Sequence, residues 1–74
     1  MKDYMLKIVL KKYVDESNID LKFLSKESGI HLDIINQMYD VGEFDSRKVN
    51  VQGLAVICLI LRIPTLDDLI PGFN

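Results

Sequence analysis

Seventy-four residues make one domain, close to the lower limit for a chain that folds without a staple. A single cysteine, Cys58, excludes an internal disulfide, and a single histidine, His31, argues against a metal site of ordinary ligand count. The net charge of −2 is not that of a typical nucleic-acid binder, and it is unevenly spread: residues 1–26 hold six Lys against four acids, residues 27–74 three cations against seven acids. About half of the chain (49%) is hydrophobic, so apolar packing or a partner subunit must supply the stability. The longest unbroken apolar run, 54–61, is eight residues and cannot span a bilayer. Lysines scattered through residues 1–13 do not make a signal peptide, and a reducing, cytoplasmic setting is expected.

In chain order, the spacing of Leu6, Val9, Leu10, Tyr13 and Val14 predicts a first helix over 3–16, ended by Ser17 and Asn18. Its lysines form either a phosphate-facing surface or an ordinary solvated face. Asp20 suits the N-cap of a second helix, with Leu21 and Leu24 inward and Gly29 as the C-terminal cap. A third helix begins near His31. Ile34, Ile35, Met38 and Val41 share one face, Asp33, Asn36, Gln37 and Asp40 another, and Gly42 stops it. Residues 43–49 read as a polar loop, with a small hairpin about Asp45 and Ser46 as the alternative.

Asn50 can cap a fourth helix through 51–63. Its run 54–61 is apolar on every face, so periodicity alone does not separate buried helix from buried strand; its length favours helix. Such a helix should be buried all round. Either Val56, Leu59 and Ile60 meet a second copy of the chain, or a fifth helix and Phe73 cover them. Pro64 interrupts, Thr65 caps a last short helix through the LDDLI run, and Pro71-Gly72 closes the chain. The expected fold is all-α, a compact bundle of about five short helices forming one domain over 1–74.

The stretch 20–42, DLKFLSKESGIHLDIINQMYDVG, reads as helix, glycine turn and helix, the helix-turn-helix pattern. With Leu24, Gly29-Ile30, Ile35, Met38, Gly42, the series Leu54, Ile57, Leu61 and the closing LDDLIP, residues 10–71 resemble the Cro/CI-type (XRE-type) helix-turn-helix domains of phage and bacterial repressors. The resemblance implies a lambda-repressor-like DNA-binding domain that regulates transcription, with a short double-stranded operator as partner and a homodimer as the working form. The chain departs from the family in three places. Leu21 stands where the family often has a phosphate-holding Gln, His31 where it often has a capping Ser or Thr, and the loop between Gly42 and Asn50 is longer.

The resemblance places Leu32, Asp33, Asn36, Gln37 and Asp40 toward base edges. Asn36 and Gln37 can pair with adenine, Leu32 can touch a thymine methyl, and Asp33 can accept only from cytosine. This helix has two acids and no cation, so phosphate affinity must come from elsewhere. The expected phosphate-facing residues are Leu21 and Lys22 at the second helix, with its first-turn amides, and Arg47 and Lys48 in the loop. Lys7 and Lys11 could flank them. The acidic stripe of Asp33, Asp40 and Glu43 motivates a rival: the same fold as a protein-interaction module, an antirepressor or partner of another regulator. No residue set suggests catalysis, a cofactor or a metal. Cys58 reads as a buried, inert thiol, and Tyr39 and Phe44 as packing residues rather than base-stacking ones.

Overall fold

The computed structural model describes residues 4–72. Five α-helices and a two-stranded sheet follow one another: β1 (Met5–Lys7), α1 (Leu10–Ser17), α2 (Leu21–Ser28), α3 (Leu32–Asp40), β2 (Glu43–Asp45), a 3-10 turn (Ser46–Lys48), α4 (Val51–Leu61) and α5 (Leu66–Leu69). The helical bundle expected from the sequence is what forms. α4 is a helix despite its β-branched run, and it packs against α2, α5 and α1.

Local chemistry sets the boundaries. The Asp20 carboxylate accepts from the Lys22 N–H at 3.1 Å, which starts α2. Gly29 ends it at φ +77°, its N–H donating to the Ser25 carbonyl at 3.0 Å. The Asn50 side chain accepts from the Gly53 N–H at 2.8 Å and starts α4. Thr65 precedes α5 but makes no side-chain capping bond. α4 stops at Leu61, with Arg62 in the left-handed region, short of the expected 63.

Three expectations need correction. The first helix starts at Leu10; residues 5–7 are a strand instead, and residue 3 lies outside the described residues. The alternation from Leu6 to Leu10 accounts for this. Ile8 and Leu10 are buried while Lys7 and Val9 are exposed, an alternation that suits an extended segment leading into α1. Residues 43–45 are not loop. They pair antiparallel with β1, Met5 opposite Asp45, Leu6 opposite Phe44 and Lys7 opposite Glu43. No hairpin turns at Asp45 and Ser46, because the partner strand is β1, nearly forty residues earlier in the chain. Val41 does not join the inner face of α3; it follows the last turn and is 64% exposed. Phe73, expected to help cover α4, lies outside the described residues.

The core draws on all five helices and β2, with Leu6 of β1 partly buried against it. Leu10 and Val14 of α1, Leu24 of α2, Ile35 and Met38 of α3, Phe44 of β2, Leu54, Ile57 and Leu61 of α4 and Leu69 of α5 form one cluster. Among the described residues no buried polar or charged side chain interrupts it. None of the described helices is long and apolar enough to cross a membrane.

Candidate nucleic-acid interface

The α2–α3 pair is locked from below and at its turn. Leu24, Ile35 and Met38 are fully buried beneath it, and Ile30 is nearly so. At the turn the Ser25 hydroxyl donates to the Ile30 carbonyl, and the Ile30 N–H donates to the Ser28 hydroxyl at 3.2 Å. Two side chains that favour caps and turns thus satisfy the backbone where the chain reverses. His31 occupies the N-cap position of α3 with no side-chain capping bond, so its carbonyl alone receives the Ile34 and Ile35 amides.

The turn leaves one face of α3 to solvent. Asp33, Gln37 and Asp40 are exposed on it, with Leu32 and Asn36 half-buried at its margin. The five residues expected to face base edges therefore lie together on the outward side of one helix. The face is polar and acidic, and α3 has no cation on it.

Tyr39 turns away from that face toward α1. Its hydroxyl donates to Asp15 at 2.6 Å, and Lys11 lies above its ring, 4.4 Å from the centroid. Lys11 also donates to the Tyr39 oxygen at 3.3 Å and pairs with Asp15 at 3.8 Å, and the Tyr39 bond with the nearby Asp15 charge raises the Lys11 pKa. Lys11 is thus engaged within the protein, and Tyr39 and the buried Phe44 are packing residues as the sequence suggested.

The start of α2 is a weak anion site. The Asp20 carboxylate already takes the Lys22 amide, and Asp15 and Asp20 stand together on the rim of an open cleft with Tyr39. Two carboxylates at this point repel a phosphate that the bare amides would attract. Leu21 is half-buried and lines the cleft, so it offers no polar contact; Lys22 is exposed.

The turn after β2 holds the other two residues expected to face phosphate. Lys48 is exposed. Arg47 makes a bidentate pair with Asp45, Nε to Oδ1 at 3.1 Å and Nη2 to Oδ2 at 2.9 Å, and its guanidinium lies over the Tyr4 ring, 3.8 Å from the centroid. The Arg47 bonds hold the Asp45 carboxyl below its usual range, so Asp45 stays ionised into mild acid and the pair is lost only as pH falls through that lowered value. Tyr4 and Asp45 were not among the expected site residues. The Asp-Ser-Arg spacing carries a signal for the second, because an Asp side chain commonly bonds the amide two residues on. Tyr4 carries none, since only strand pairing brings it to Arg47.

On α4, Leu59 is 78% exposed and Val51 57%. Ala55 lies between them at four-residue spacing and is also exposed. Val56 is half-buried at the edge of this stripe, and Ile60 packs partly against the core. The expected dimer residues are therefore split, with Leu59 alone fully on the outward side. Comparison of the chain with protein-family models, with curated proteins and with solved structures gives no match.

Proposed function

We propose that the protein is a small DNA-binding regulator of transcription that places α3 in the major groove of a short operator. The observation that carries this reading is the α2–turn–α3 unit. It is fixed by buried residues below and presents Asn36 and Gln37, whose amides can pair with adenine, on its outward side. Lys22 and Lys48, exposed on either side of α3 in the chain, and Arg47 supply the phosphate contacts. A second copy meeting the α4 stripe would give the two-fold symmetry of a palindromic site.

The test is a titration of the protein with duplex DNA from its own upstream region at several salt concentrations. For three phosphate contacts, affinity should fall roughly 40-fold between about 50 and 200 mM salt. Replacing Asp33 with Lys should tighten binding and steepen that dependence. Absence of binding at micromolar protein and low salt, for every duplex tried, would sink the reading.

A second reading is favoured by one set of observations. Asp33 and Asp40 are exposed on the outward face of α3, which carries no cation. Such a surface suits a basic protein partner, and the domain would then act as an antirepressor or co-regulator. The same Asp33→Lys variant separates the two, because it should abolish partner binding while tightening DNA.

A further inference from the structure

We propose that Arg47 is a preorganised phosphate fork for the DNA backbone, with Asp45 and Tyr4 as its positioning residues. The inference rests on the DNA-binding reading for the source of the phosphate, and on local geometry for the fork itself.

A guanidinium has five N–H donors in one plane. Asp45 takes the Nε–H and one Nη2–H, along the side of the group. The second Nη2 hydrogen and the Nη1 hydrogen beside it remain and form its end-on edge, while the other Nη1 hydrogen points back along the Cδ side. That edge is the one that meets two phosphate oxygens in parallel. The Tyr4 ring covers one face of the plane and fixes its tilt. Tyr4 is itself held, since its carbonyl accepts the Ser46 N–H at 2.7 Å, next to Arg47 in the chain. The Asp45 Oδ1 also accepts the Arg47 backbone N–H at 2.9 Å, so base and tip of the side chain hang from one carboxylate.

The exposures fit a fork rather than a simple staple. The Arg47 side chain stays 65% exposed although it is held at two places, while the Asp45 side chain is only 13% exposed. The holding groups lie beneath, and the free edge looks out. An arginine bound this way has already given up the rotamer freedom that a flexible side chain loses on binding. Exposed Lys48 adds a neighbouring charge without directional demand. Two parallel in-plane donors beside an exposed ammonium suit a phosphodiester.

The alternative is that Asp45 merely neutralises Arg47, and the two predict opposite signs. Asparagine at 45 keeps an oxygen for the Arg47 amide, so the turn is preserved, but it removes the bidentate acceptor. If Asp45 is a counter-ion, Asp45→Asn removes a negative charge and tightens DNA binding. If Asp45 orients the fork, the same change weakens it. The expected results are a several-fold weakening for Asp45→Asn and Tyr4→Leu, and roughly tenfold for Arg47→Lys, which keeps the charge and loses the fork. Tighter binding by Asp45→Asn, or unchanged binding by Arg47→Lys, overturns the proposal.

A second arm needs no DNA. Inorganic phosphate is titrated into the isotope-labelled protein, and the guanidinium resonances of Arg47 and Arg62 are followed. Arg62, exposed at the end of α4, is the internal control. Arg47 should respond at lower phosphate than Arg62 and should lose that advantage in Asp45→Asn. Equal responses overturn the fork whatever the DNA result. A selective Arg47 response in a protein that binds no duplex supports the fork and removes the DNA reading.

Discussion

Cys58 shows how one side chain takes its chemistry from two elements. It is half-buried on α4, and its thiol pKa is raised, first by burial and then by the Asp68 carboxylate of α5. Both disfavour the thiolate, the species that reacts. Alkylation by iodoacetamide at pH 8 should therefore be slower in the native protein than in the urea-unfolded chain. Equal rates would show that neither burial nor Asp68 acts on the thiol. Arg47 is the opposite case: a residue whose charge was plain in the sequence, and whose orientation depends on a tyrosine more than forty positions away.

At the scale of elements, Gly53 decides how closely α4 approaches α2. A Cβ there would stand 3.0 Å from the Ile30 side chain and 3.1 Å from the Ser28 carbonyl. The side chain can give a little; the carbonyl belongs to the end of α2 and cannot move cheaply. Gly53→Val should cost about 1–3 kcal/mol of stability in chemical denaturation, the usual range for overpacking. A variant as stable as the parent would mean that α2 and α4 are free to separate. The helices themselves were legible because their caps are written in residues such as Asp20, Gly29 and Asn50. The first strand was not. Leu6, Leu10 and Tyr13 fit a helical spacing as well as Leu6, Ile8 and Leu10 fit a strand, and what decides is β2, nearly forty residues on. The outward set on α3 was readable from three- and four-residue spacing. The fork could not be, because it needs that strand pairing first.

At the scale of the whole molecule, the exposed side of α4 carries two of the five exposed large hydrophobic residues among those described. Val51, Ala55 and Leu59 make an uncharged stripe on a helix of 11 residues, about 16 Å long. A patch of that length falls short of the roughly 800 Å² per partner typical of stable complexes, so self-association through it should be weak. Sedimentation should show a mass that rises with concentration. Leu59→Glu should remove the rise while changing monomer stability by no more than about 0.5 kcal/mol, because the side chain is 78% exposed. A monomer mass independent of concentration would leave the stripe without a self-partner.

The β1–β2 ladder also bears on the order in which the protein comes together and comes apart. It joins segments nearly forty residues apart through two strands of three residues each, so its closure carries a loop entropy of roughly 3 kcal/mol with few bonds to offset it. The helices between those strands must dock before that closure becomes favourable. The ladder should then be among the last contacts to form and the first to open, which faster amide hydrogen exchange in β1 than in α4 would show, and equal exchange would refute. When it opens, Tyr4 leaves Arg47 while the α2–α3 turn stays intact.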